Sequence, residues 1–183
     1  MKIVLLGDSI RLGYGPLVEK HFKDKGFDFY QPGDNCRFVK YLLRMLFDEK
    51  ENLKDADIIQ FNVGHWDICQ LYEDKKPFSS KEEVKENLIR VTKILLSITP
   101  NVIFALTTPV RYENPYNDNK VTDEYNELAK EVMKELGVKV NDLNSLLKGD
   151  IYKYICEDLI HLTDEGKEKC ANATIKMMEE IIK

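Results

Sequence analysis

The chain has 183 residues, 43% hydrophobic and 32% charged, with a formal net charge of −5. That length suits one domain with a sizeable core, and the acidic balance offers neither the basic stripe of a nucleic-acid binder nor the polybasic surface that holds anionic lipid. The apolar run after Lys2 ends at Asp8, too short for a signal-peptide core, and no run approaches membrane-spanning length, so a cytoplasmic protein is expected.

Lys2–Leu6 reads as a buried strand. Leu17–Lys25 reads as a helix closed by Gly26, and Phe27–Tyr30 as a short second strand. Over Phe38–Phe47, Val39, Leu42, Leu43 and Leu46 share one helical face. Asp57–Val63 predicts a third strand, followed by Gly64 and then a long polar loop from about Cys69 to Ser80. Ser80, with Glu83 three residues on, makes a capping box for a helix whose buried face is Leu88, Val91, Ile94 and Leu95. Asn101–Leu106 predicts a fourth strand, and Arg111–Lys120 a second loop rich in Asn, Asp, Tyr and Pro. A helix over Thr122–Leu136 stops at Gly137, Val138–Asn141 is a fifth strand, and Thr163 opens a last helix. Five apolar runs separated by helices imply βαβ units and a parallel sheet covered on both faces. No linker divides the chain, so residues 1–183 are expected to form a single domain. Ligands in such folds bind outside the carboxyl ends of the strands.

Gly7-Asp8-Ser9-Ile10 follows the first strand with no spacer. Ser9 is either a turn residue capping the next helix or a nucleophile held at the sheet edge, and a nucleophilic Ser needs a base. Of the three histidines, His21 lies in a Lys- and Glu-rich helix and reads as a surface residue, while His65 follows the third strand near the site. His161 stands three residues after Asp158. That spacing places a carboxylate against Nδ1 and leaves Nε2 free to accept a proton. The favoured set is Ser9, His161 and Asp158. The four cysteines, Cys36, Cys69, Cys156 and Cys170, show no C-x-x-C pair and no zinc spacing. Reduced thiols and no metal are expected, and Cys36 is a minor nucleophile reading because it lacks a neighbouring His.

In this order the residues resemble the SGNH hydrolases, also called GDSL esterases and lipases, over nearly the whole chain. Gly7-Asp8-Ser9-Ile10 is similar to the family's first block, which carries the nucleophile. Gly33 in "QPGDNCRF" is similar to the second, whose Gly offers an N–H to the oxyanion, and Asp158-x-x-His161 to the last, which supplies acid and base. The resemblance implies a flavodoxin-like three-layer α/β/α sandwich, an acyl-enzyme, a small-molecule ester substrate and no cofactor. The third block departs: where the family has Gly-x-Asn-Asp, this chain has Gly64-His65-Trp66-Asp67, with Trp at the Asn position. The oxyanion donors are then expected to be the Ser9 and Gly33 N–H groups with Asn62, Asn35 ranking second and Trp66 third.

Asp8, Trp66, Arg37 and Arg111 are assigned to the substrate pocket, Trp66 as a wall and the arginines either meeting an anionic part of the substrate or remaining solvated. The expected activity is hydrolysis of a short-chain, acetyl ester on a carbohydrate. No separate lid domain for a long lipid is expected at this length, and the loops at 69–80 and 111–120, with Tyr72, Tyr112 and Tyr116, suit a hydroxylated substrate. The alternatives are a lysophospholipase or thioesterase with the same triad, or a non-catalytic binding protein, which Trp66 motivates. A nucleotide-binding flavodoxin-like module is disfavoured, since neither G-x-G-x-x-G nor a P-loop Lys is present.

Overall fold

The apolar run Lys2–Leu6 is strand β1 of the computed structural model, which describes residues 1–183. The chain continues through α1 (Ser9–Asp24), β2 (Asp28–Tyr30), α2 (Val39–Asp48), α3 (Lys50–Leu53), β3 (Ile58–Phe61) and α4 (His65–Ile68). It is completed by α5 (Lys81–Leu96), β4 (Val102–Ala105), α6 (Asn119–Glu135), β5 (Lys139–Asn141), α7 (Leu143–Lys148), α8 (Ile151–Tyr154) and α9 (Asp164–Ile182). The five strands form one parallel sheet in the order β2-β1-β3-β4-β5. No helix is long and apolar enough to cross a membrane.

Alternate residues of each strand point to opposite faces, which divides the core in two. Val4, Leu6, Ile59, Phe61, Val102 and Phe104 pack against apolar residues of α2, α5 and α6. Ile3, Leu5, Ile58, Ile103 and Ala105 pack against α1, α7, α8 and α9. The result is the expected three-layer α/β/α arrangement. Gln60 is the polar exception in β3: fully buried, its amide donates to Tyr14 Oη and Thr174 Oγ1 and its oxygen accepts from Asn141.

The strand order reverses between β1 and β3, and a crevice forms at such a switch point outside the carboxyl ends. Helix boundaries differ from the sequence expectation in one place that matters. α1 starts at Ser9, not Leu17, and runs through Gly13, Gly15 and Pro16. The Ser80–Glu83 capping box is present as expected.

Candidate active site

Gly7 and Asp8 turn the chain from β1 directly into α1. Asp8 is the N-cap, its Oδ1 accepting the Ile10 N–H at 3.0 Å. Ser9 is therefore the first residue of α1, and its own N–H, one of the donors a helix start leaves free, has no protein acceptor. A Cβ at Gly7 would lie 2.0 Å from Asn62 Oδ1, so only glycine fits this approach of β1 to the loop after β3.

Between α8 and α9 the chain makes a tight loop. Ile155 bridges Leu162, and the Cys156 N–H donates to His161 O at 2.7 Å. Leu159 takes φ +75°, curling the turn between them. Asp158 Oδ1 accepts the Ile160 and His161 N–H groups at 3.1 and 3.0 Å. That leaves Oδ2 to meet His161 Nδ1 at 2.7 Å, while Nε2 of the same ring lies 2.9 Å from Ser9 Oγ. Burial works to raise the Asp158 carboxyl, but its bonds to the His161 and Ile160 N–H groups and to the imidazole outweigh this and hold it below the usual carboxylate range. An anion at Oδ2 keeps the proton on Nδ1, so Nε2 is the acceptor for the Ser9 hydroxyl.

Ser9 and His161 open into a cleft of about 450 Å³. Trp66, Leu71, Tyr116 and Ile160 supply its apolar walls, and Asn35, His65 and Asn117 its polar edges. Trp66 thus stands where a wall was expected, 43% exposed. Sequence reasoning missed Leu71, Asn117 and Ile160, which lie in loops that only the tertiary fold brings to Ser9.

The other expected pocket residues lie elsewhere. Asp8 is buried beneath α1, where burial raises its carboxyl to about 6. Arg37 stacks on Tyr41, 4.4 Å from the ring centroid, and pairs with Asp34 at 3.8 Å. Arg111 is taken up by backbone carbonyls, donating from Nε to Ile155 O at 2.9 Å and from Nη2 to Tyr152 O at 3.3 Å. None of the three lines the cleft.

The ranking of the amides also changes. Asn62 is buried and its Nδ2 donates to Asp8 Oδ1 at 2.8 Å, which directs it away from the cleft. Asn35 lines the cleft; its Oδ1 accepts the Arg37 N–H at 2.7 Å, which fixes the amide and leaves Nδ2 without a protein acceptor. Gly33 is exposed, has no positive φ, and its N–H has no protein acceptor.

Of the remaining titratable candidates, His65 is buried with Nε2 3.0 Å from Thr108 Oγ1. Burial, helped by His161, pushes its pKa down to about 3, so the ring is neutral. His21 sits at the surface, 2.9 Å from Glu179. Burial pushes the Cys36 thiol up to about 11, which leaves it a protonated core group. No group of three or more His, Cys, Asp or Glu side chains is placed to hold a metal ion.

A doubly wound parallel sheet with Asp158, His161 and Ser9 hydrogen-bonded in series at its carboxyl edge is an architecture of the SGNH kind. The profile of the GDSL-like lipase/acylhydrolase family matches residues 3–174, and the chain belongs to that family of carboxylic-ester hydrolases. A search of curated protein sequences returns no match. Among solved structures, the lipase/acylhydrolase from Enterococcus faecalis is similar at a TM-score of 0.80 and 21% identity, covering 98% of this chain and 95% of that one. LAE5, an alpha/beta hydrolase from the metagenome of Lake Arreo, superposes with a TM-score of 0.80 at 18% identity, over 97% of this chain and 94% of its own. Axe2, an acetylxylan esterase from Geobacillus stearothermophilus, gives 0.77 at 14% identity, over 97% and 93%.

Proposed function

We propose that the chain, acting as one catalytic domain, hydrolyses short-chain acetyl esters of a hydroxylated, carbohydrate-like alcohol through an acyl-enzyme on Ser9. His161 takes the Ser9 proton as Oγ attacks the ester carbonyl and returns it to the leaving alcohol, then repeats the cycle with water. Asp158 orients the ring and stabilises the imidazolium that forms in each half. The oxyanion is met by the Ser9 and Gly33 N–H groups and the Asn35 side-chain amide. Asn35 takes the place first given to Asn62 because its Nδ2 is the one left unpaired in the cleft. The bond series from Asp158 Oδ2 through His161 to Ser9 Oγ carries this reading.

The preference for the alcohol rests on the exposed rings of Trp66 and Tyr116 at the cleft wall, surfaces on which a pyranose face can stack. The acetylxylan esterases among the structural neighbours support it. The test is a comparison of wild type with Ser9→Ala on an aryl acetate and on acetylated xylo-oligosaccharides, with fluorophosphonate labelling. The expected outcome is labelling at Ser9, release of acetate from both substrates, and a fall in kcat on the order of 10⁴–10⁶ in the variant. More than a tenth of wild-type rate in Ser9→Ala overturns the mechanism. A wild type faster on long-chain lysophospholipids or on thioesters than on either acetate overturns the substrate assignment.

A further inference from the structure

Arg11, in the first turn of α1, is the only buried Lys or Arg side chain in the protein. Its guanidinium takes four acceptors: Nη1 donates to Pro32 O at 2.8 Å and Gln31 Oε1 at 3.3 Å, Nη2 to Asp34 O at 2.7 Å and Gly7 O at 3.1 Å. The two loop carbonyls flank Gly33. A peptide unit is planar and trans, so its C=O and the following N–H point in opposite directions. Fixing Pro32 O therefore fixes the direction of the Gly33 N–H, and fixing Asp34 O sets the peptide that leads into Asn35. The bond to Gly7 O anchors the peptide that enters Asp8 and the start of α1, where the Ser9 N–H lies. The Cys36 N–H donates to the same Gly7 oxygen at 3.0 Å and closes the loop on its far side.

Gly15, one further turn along α1, belongs to the same arrangement. A Cβ there would lie 2.2 Å from Gln31 Oε1 and 3.4 Å from Arg11 Cδ. Glycine is a poor residue for a helix interior, and here it leaves the space in which Gln31 meets the guanidinium. Only a fork of donors on one plane reaches acceptors spread over two segments; an ammonium offers three donors from one point.

We propose that Arg11 is the positioning residue of the oxyanion site: it locks the 31–36 loop against the start of α1 so that the Gly33 N–H, the Asn35 amide and the Ser9 N–H keep one mutual geometry. This rests on the ester-hydrolase reading above. A purely structural arginine would lower stability without singling out the charge-bearing step. A positioning arginine lowers kcat, leaves KM in place, and acts through the donors it holds, Asn35 among them.

The experiment measures kcat, KM, thermal midpoint and the Ki of a boronic acid, which forms a tetrahedral adduct on Ser9. The proteins are wild type, Arg11→Lys, Gly15→Ala, Asn35→Ala and the Arg11→Lys/Asn35→Ala double variant. Arg11→Lys is expected to lower kcat by about 10- to 100-fold, as small misplacements of catalytic donors do, with KM within about twofold and the boronate Ki raised in step with the loss of kcat. In the Asn35→Ala background the same substitution is expected to cost less, the part carried by the Gly33 and Ser9 N–H groups remaining, because coupled residues are non-additive. Gly15→Ala, which disturbs only the far end of Gln31 and favours the helix, is expected to lower kcat about threefold with no loss of thermal midpoint. It decides the matter if Arg11→Lys does not fold. An active wild type whose kcat is insensitive to both substitutions overturns the proposal, as does an effect of Arg11→Lys that multiplies unchanged with that of Asn35→Ala. A wild type that neither hydrolyses an aryl acetate nor labels at Ser9 overturns the esterase reading itself, and this proposal with it.

Discussion

At the scale of single residues, the proposed mechanism turns on the difference between the two nitrogens of the His161 ring. Nδ1 faces an anion at 2.7 Å and Nε2 a hydroxyl at 2.9 Å. Asp158→Asn keeps an oxygen for the Ile160 and His161 N–H groups but places an amide beside the ring, which no longer enforces the productive tautomer. The expected loss in kcat is about 10²–10⁴, against about 10⁴–10⁶ for His161→Ala, where the base itself is gone; steady-state rates on an aryl acetate check the order. The amides separate in the same assay. Asn35→Ala is expected to lower kcat by about 10²–10³ with KM nearly unchanged, the usual cost of one oxyanion donor. Asn62→Ala removes a bond to the buried Asp8 cap and is expected to appear first as a lower thermal midpoint. If Asn62→Ala proves the slower enzyme and Asn35→Ala the normal one, the assignment of the amide donor is reversed. Trp66→Phe, altering only the cleft wall, should change the preference between substrates more than the rate on any one.

At the scale of elements, the loop bearing Asp158 and His161 is held by its neighbour rather than by its own length. The Arg111 N–H donates to Leu159 O at 3.0 Å, and its side chain binds Ile155 O and Tyr152 O while lying over the Tyr152 ring. Arg111→Ala removes hydrogen bonds to a charged donor, worth on the order of 1–3 kcal/mol. The expected outcome is a thermal midpoint lower by roughly 2–10 °C and a kcat lower by several-fold, read by melting and kinetics on one preparation; unchanged values in both would show that the loop stands without it. The sequence leaves Arg111 as either a substrate contact or a solvated charge, because its acceptors are backbone carbonyls, which no sequence displays. The strands were legible for the opposite reason: their apolar runs are long enough to mark buried segments, with ends misplaced by one or two residues. The first half of α1 is hidden by Gly13, Gly15 and Pro16, residues that break a helical pattern, although at Gly15 the glycine leaves space for the Gln31 side chain. α3, α4, α7 and α8 span four to six residues each, too few to show a helical period. The Asp158–His161 pair was legible because both partners lie within one turn, whereas the choice between Asn62 and Asn35 depended on loop paths.

At the scale of the whole molecule, the buried carboxylates set how stability responds to pH. Asp67 links three elements: its Oδ2 accepts the Val39 N–H at the start of α2 at 3.0 Å, and its backbone oxygen accepts the Ser79 N–H before α5. Its Oδ1 has no partner and the side chain faces a narrow cavity of about 20 Å³ beside Thr107, Tyr125 and Asn126. Burial raises the carboxyl to about 6, whereas in the unfolded chain it titrates near 3.9. The folded state therefore binds this proton more tightly than the unfolded state. Between about pH 4 and pH 6 the folded protein carries the extra proton, and stability falls as pH rises through that window. Above it the full cost of a buried charge persists. Asp8, raised to about 6 by burial, adds to the same trend, while Asp158, held low, works against it. A comparison of wild type with Asp67→Asn cancels those shared contributions. Asparagine retains an oxygen for the Val39 N–H and carries no charge, so the variant is expected to be more stable than wild type at pH 8 by on the order of 1–3 kcal/mol, a thermal midpoint higher by roughly 2–10 °C. The difference should shrink steadily below pH 6 and vanish near pH 4, where wild-type Asp67 is protonated in the folded state. A midpoint difference independent of pH, or a variant less stable than wild type at pH 8, would mean that the Asp67 charge is compensated inside the fold and that its pKa is not raised.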